Sequence, residues 1–468
     1  MEKQSWFDKI NNWAKGSVML KIITIGILIL VLLIPSSMLD SLIRERQNIR
    51  DNAISEVSSK WGNAQTIGGP VISIPFRNKI KNQKGELESR IEYAHFLPED
   101  LKINGKVLPE KRYRGIYVVI LYNTLLNVSG EFNYPDFQSL PIAPEDLMLK
   151  DAFLSVGITD MKGIKDKIIL TSNGTASEFN PGIMTNDIFS SGISVPIDLS
   201  QNRKISFSFS LNLNGSSTLN FLPFGKETNV SLTSPWANPA FEGSFLPDNR
   251  EVTDEGFTAN WKILQLNRNY PQQGIGAFIP RSNNNYNYNN RYYDNYDYTF
   301  SYAPTGEDSS FGVRLLLPID EYQKTNRSAK YNVMFIFITF LAFFFVEILN
   351  KKKIHPIQYL LVGFSICLFY ILLLSISEHF MFDFAYLIAS FIIVIILTLY
   401  TKAVLKNNFL TGIIFGVLTL LYGFFYSILQ LQDYALLMGS LGLLVILASI
   451  MYLTRNIDWY NVNREKLE

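Results

Sequence analysis

Two periodicities divide the chain. In KISFSFSLN, Ile205, Phe207, Phe209 and Leu211 fall on one side while Ser206, Ser208, Ser210 and Asn212 fall on the other. That alternation predicts a half-buried β-strand. Asn214-Gly215 follows, the dipeptide favoured by a tight hairpin turn because both central residues take positive φ. Leu219 and Phe221 are therefore expected on a return strand. Similar runs occur at GPVISIPF, RGIYVVILY, FLSVGI, NVSLT and FGVRLLL. Short strands separated by Gly, Pro and Asn predict a mainly antiparallel β domain, a sandwich or two packed sheets. No internal repeat emerges.

On both sides of this region the pattern becomes continuously apolar. A membrane helix needs roughly 20 apolar residues, and six stretches qualify: Ile22–Leu39, Val333–Leu349, Ile357 to about Ser375, Phe384–Tyr400, Leu410–Leu429 and Tyr434–Leu453. The first follows Lys3, Lys9, Lys15 and Lys21 but is long for a signal core and lacks a small-x-small cleavage site, so it reads as an uncleaved anchor. The fold class is thus a membrane α-helical bundle of six spans, one anchor plus five C-terminal helices, with a large extracytoplasmic β domain. The divisions are a cytoplasmic N-terminus at 1–21, the anchor at 22–39, the periplasmic β domain at 40–330, the five-helix block at 331–455 and a cytoplasmic tail at 456–468.

Basic residues set the orientation. Lys351, Lys352 and Lys353 follow the second span, Lys402 and Lys406 the fourth, and Arg455, Arg464 and Lys466 the sixth. The turns after the third and fifth spans, SISEHFMFD and QLQDY, carry no Lys or Arg. Both termini are then expected inside and the β domain outside. Arg44, Arg46 and Arg50 argue weakly against this. They open a long translocated domain, where the rule has less force, and Asp40, Glu45 and Asp51 accompany them. Ser41–Trp61 has Leu42, Ile49, Ala53 and Val57 at helical spacing, giving either a stalk that transmits motion or a helix packed on its own domain. Arg281–Tyr302 is filled with Asn and Tyr and offers no aliphatic core contact. It reads as a loop, or as a tyrosine surface for glycan or peptide.

Composition narrows the function classes. A net charge of +1 provides no global field for nucleic acid, and none is expected as a partner. The one cysteine, Cys367, lies inside an apolar run, which excludes an intrachain disulfide and points to a small buried side chain. The three histidines are His95, His355 and His379. No HExxH, paired CxxC, GxxxxGK[ST] or GxSxG motif occurs, and Ser and Asp are too common for a triad on His95 to be picked out. No catalytic residue, metal or cofactor is therefore expected.

Charge at membrane depth is informative because it costs at least about 2.5–3.5 kcal/mol at the bilayer centre. Glu347 sits near the end of its span, four residues before Lys351, and a helical ion pair with that lysine would explain it. The middle turns of the last four spans hold no charge, against a proton relay or ion-coupled transport. Glu378, His379, Asp383 and Asp433 all fall at the expected outer ends of spans. They are either polar caps meeting water or an acidic rim on which the β domain docks through Arg327 and Lys330.

Several polar motifs resemble the CreD family of bacterial inner-membrane, cell-envelope integrity proteins. IRERQNIR followed by WGNAQTIGGPVISIPF is similar to that family's post-anchor region, and LNGSSTLNFLPFGKETNVSLTSPWANPAFEGSFLP to its central domain. TNRSAKY, IQYLLVGFSICLFYILLLSISEH and LQLQDYALLMGS…MYLTRNIDWY resemble its membrane block. The Asn/Tyr tract departs from the pattern and reads as an insertion. The resemblance implies a role in envelope integrity, with expression in some bacteria under a two-component system that responds to envelope stress, and it implies no catalytic residues; with the site motifs absent, the expected protein is non-enzymatic and contributes to envelope-stress tolerance. The expected partners are the lipid bilayer and an envelope protein, lipid or cell-wall component. A transporter or lipid-handling protein working through the helix block, and a membrane enzyme, are the alternatives.

Overall fold

The computed structural model describes residues 18–81, 87–200, 204–279, 309–317, 321–350, 352, 354–431 and 434–455. The Asn/Tyr tract, Asp433, Lys351 and Lys353 lie outside them. The chain divides into a helical unit, Met1–Ile49 with Ile319–Glu468, and a β unit, Arg50–Pro318. The β unit is shorter at both ends than residues 40–330, so Arg327 and Lys330 belong to the helical unit.

The strands of the β unit are β1 (Gln65–Lys81), β2 (Leu87–Phe96), β3 (Asp100–Arg114), β4 (Tyr117–Phe132), β5 (Phe153–Ile158), β6 (Ile169–Ser172), β7 (Thr175–Glu178), β8 (Asn180–Pro181), β9 (Gly192–Pro196), β10 (Ile205–Ser216), β11 (Thr218–Phe221), β12 (Glu227–Ser234), β13 (Pro239–Gly243), β14 (Asn249–Thr253), β15 (Gly256–Leu264), β16 (Gln273–Ile275) and β17 (Phe311–Leu315). Among the described residues they form two sheets. One runs β13-β17-β11-β1-β5-β9-β8, with β2 also on β1 and β16 on β2; the other runs β14-β15-β12-β3-β4-β10-β6-β7. Inward residues of both sheets, among them Ile72, Leu154, Ile103, Leu211 and Trp261, share one apolar core. This is the predicted pair of packed sheets. It is not wholly antiparallel, because β1 pairs β11 and β3 pairs β12 in parallel.

The alternation at 205–211 is realised: Ile205, Phe207, Phe209 and Leu211 are buried, while Ser206, Ser208 and Ser210 are exposed. The expected Asn-Gly hairpin is not. Asn214 and Gly215 continue β10 and pair with Asn123 and Tyr122 of β4. The chain then turns at Ser217, which takes positive φ, and β11 joins the other sheet. Packing decides this. A Cβ on Gly215 would lie 2.3 Å from the Tyr122 hydroxyl, so the glycine permits a ring-to-backbone approach rather than a turn. That hydroxyl donates to the Thr218 carbonyl at 2.7 Å.

The helices are α1 (Val18–Trp61), α2 (Glu321–Lys330), α3 (Asn332–Leu349), α4 (Pro356–Ser377), α5 (Phe382–Leu405), α6 (Asn408–Gln430) and α7 (Ala435–Thr454). The anchor and the predicted stalk are one 44-residue helix. Its last turns pack on the strands: the Trp61 indole donates to the Tyr122 carbonyl at 3.3 Å, and Glu56 pairs with Arg114 at 3.1 Å. Among the described residues, α1, α3, α4, α5 and α6 are long and apolar enough to cross a membrane, and α7 has a shorter apolar stretch, Leu437–Tyr452. His355 caps α4. Its Nδ1 accepts from the Ile357 N–H at 3.3 Å, and its own N–H donates to Gln358 at 2.9 Å. Cys367 is buried.

Candidate functional site

The predicted rim is organised by α2. The polar sequence EYQKTNRSAK cannot enter an apolar bundle, but its Lys, Thr and Arg side chains can satisfy helix ends. Lys324 Nζ lies 3.9 Å from the Asp383 carboxylate, 3.3 Å from the Gln430 side-chain oxygen and 5.5 Å from the centre of the Phe382 ring. Gln430 also donates to Asp383. Arg327 donates to the Leu431 carbonyl at 3.3 Å, and Thr325 Oγ1 sits 3.5 Å from Ser377 Oγ. The ends of α4, α5 and α6 are thereby held together by one short helix.

Glu378, at the end of α4, faces a cation that the sequence reading did not select: Arg46 Nε of α1 is 3.8 Å from its carboxylate. His379 is exposed in the turn that follows, and Lys330 is exposed in the last turn of α2. The structure thus ties Asp383 and, through the neighbouring Gln430–Leu431 end of α6, Arg327 to α2, while Glu378 at the end of α4 pairs instead with Arg46 of α1. Hydrogen-bonded carboxylates and cations of this kind position helix ends; half-exposed pairs contribute little energy.

A second polar site lies within the bundle. Glu347 of α3 is 2% exposed. It pairs with Lys21 of α1 and accepts from the Tyr359 hydroxyl at 2.9 Å and the Ile354 N–H at 3.0 Å. The sequence offered Lys351, four residues on, as its partner, and that lysine lies outside the described residues. The partners seen come from α1, α4 and the loop before α4, which no helical spacing within α3 reveals. Further along α1, the Asn332 amide donates to Ser36 at 2.8 Å. A Cβ on Gly363 would lie 2.2 Å from Leu32, so this glycine lets α1 approach α4 closely.

The β unit holds a hydrogen-bonded Ser-His-Asp chain. Ser73 on β1 and His95 on β2 are direct cross-strand partners, with Ser73 Oγ 2.8 Å from His95 Nδ1 and His95 Nε2 3.1 Å from Asp187. Sequence reasoning missed it because the three are separated along the chain and joined only by strand register and a loop. Ser73 is 1% and His95 0% exposed, and the imidazole stacks with Phe278 at 6.3 Å. Burial leaves a substrate carbonyl no approach to Oγ. In this geometry the trio clasps the 183–189 segment onto the sheet, beside the small apolar cluster of Val71, Leu97, Ile188 and Phe189.

The family described as "Inner membrane protein CreD" matches residues 17–460. The chain is 33% identical over 445 residues to Inner membrane protein CreD of Escherichia coli (strain K12), covering 94% of this chain and 93% of that protein. The chain belongs to the CreD family.

Proposed function

We propose, from membership of the CreD family, that this chain is a non-enzymatic inner-membrane protein that supports cell-envelope integrity and tolerance of envelope stress. It crosses the membrane six times with both termini in the cytoplasm. Its β unit stands in the periplasm and binds an envelope partner. One observation carries the reading: strands whose outward positions are hydrophilic are joined to helices whose outward positions are apolar. The basic residues beside those helices, Lys352, Lys402, Lys406 and Arg455, support the orientation. Alkaline phosphatase fused after Asn202 or Asp433 is expected to be active, and after Lys353 inactive; the reverse pattern rejects the orientation. Deleting the gene is expected to sensitise cells to detergent and wall-directed antibiotics. Unchanged sensitivity rejects the envelope role.

A lipid-handling role for the helical unit is the second reading. It is favoured by the Thr339, Tyr370 and Tyr422 hydroxyls, which are buried and have no hydrogen-bond partner among the described residues. Such groups are costly inside a bilayer. A reconstituted lipid-transfer assay separates the two readings.

A further inference from the structure

The outward face of the β14-β15-β12-β3-β4-β10 sheet carries an ordered polar ladder. Strand register places Ser210, Asn127, Asn104, Ser231, Asn260 and Asn249 opposite one another on six successive strands, and directly opposed residues share a face. The adjoining row is Lys102, Asn229 and Lys262. The two rows meet in a groove of about 360 Å³ that Asp248 also lines, within the size range of small-ligand sites. The carboxamides of Asn104, Asn249 and Asn260 make no hydrogen bond within the described residues.

The two lysines of this groove are already paired, and the Asp248 carboxylate accepts the Lys262 backbone N–H at 2.7 Å. Lys102 pairs with Asp100 at 2.9 Å and Lys262 with Glu227 at 3.1 Å. The Asn229 amide, with Lys262, holds the Glu227 carboxyl below its usual range. An anionic polymer gains nothing here. What the face offers is a row of carboxamides and hydroxyls, each both donor and acceptor, matching the hydroxyl and acetamido groups of a neutral sugar chain. Strands lie about 4.8 Å apart, close to the rise per residue of an extended β-linked pyranose chain.

We propose that this ladder binds the N-acetylated amino-sugar strands of the cell wall, which gives the β unit its partner. The inference rests on the periplasmic placement above. The test uses the full-length protein in nanodiscs, titrated with chitotetraose and, in a second arm, cellotetraose, by ligand-observed NMR. Chitotetraose is expected to bind, cellotetraose more weakly because it lacks the acetamido groups. N104A/N260A is expected to weaken chitotetraose binding about tenfold, the loss of roughly 1.4 kcal/mol of hydrogen bonding, with unchanged thermal unfolding. Should that variant fail to fold, N249A replaces it and is expected to weaken binding at least twofold. Absence of chitotetraose binding, or equal binding by wild type and a folded variant, overturns the proposal. Because this assay needs no cells, its failure leaves the phosphatase and stress tests of the broader reading intact.

Discussion

The β unit and the helical unit bury opposite things. Along β10 the phenyl rings of Phe207 and Phe209 point inward and the serines point out. Along α5 and α6, Phe391, Leu399 and Leu420 are exposed, while Asn332, Thr339 and Glu347 of α3 are closed inside the bundle. The difference follows from the surroundings. In water, apolar burial drives the sheets together at about 25 cal/mol per Å². In lipid, an apolar side chain gains nothing by turning inward. The helices therefore rely on close aromatic packing, such as Phe335 against Phe425 with centroids 4.1 Å apart and Phe369 against Tyr422 at 4.9 Å, and on polar contacts such as Glu347 with Tyr359.

If the contrast is correct, the largest loss in the helical unit comes from a charge. Glu347→Ala leaves Lys21 and the Tyr359 hydroxyl facing an empty site, and breaking a buried pair costs about 3–5 kcal/mol. Thermal unfolding in detergent is expected to show this loss, and a smaller one for Lys21→Met, since Glu347 then keeps the Tyr359 hydroxyl and the Ile354 N–H as donors. Equal stability of the Glu347 variant breaks the comparison.

In the β unit the largest loss comes from a hydrocarbon. Leu211→Ala removes a side chain with no exposed surface from the shared core, at a cost of about 2–5 kcal/mol. Limited proteolysis is expected to cut the β unit while the helical unit stays in the membrane fraction. Loss of both units together shows that they do not fold separately.

A smaller effect is expected at the Ser73 clasp. Ser73→Ala strands His95 Nδ1 in a closed site, at about 1–3 kcal/mol. Hydrogen exchange around residues 183–189 reads the loosening. Unchanged protection there means that Phe189 and its apolar neighbours alone hold the segment. The smallest effect belongs to the rim. Glu378→Gln removes a half-exposed 3.8 Å pair with Arg46 and is expected to cost no more than about 1 kcal/mol. A larger loss in the same unfolding assay assigns Glu378 a role beyond the end of α4.

The sequence by itself determined the two architectures. Alternation of the kind seen from Ile205 to Leu211 is a local signal, because side chains on a strand change face at every residue. Uninterrupted apolar runs such as Pro356–Ser377 are equally local, because a helix satisfies its own backbone in lipid. Even the polar character of the Glu378–Asp383 turn could be read directly. The tertiary structure decided what those signals meet. Asn214-Gly215 has the composition of a turn yet continues a strand, since the Tyr122 ring needs the space that a Cβ would fill. Glu347 pairs with Lys21, far away in the sequence, since the bundle brings α1 to its side. Ser73, His95 and Asp187 carry no common spacing, and the polar row from Asn127 to Asn249 is scattered over five strands. Period and composition act between neighbours along the chain. Partners of this kind are chosen by strand register and helix packing, which bring together residues far apart in the sequence.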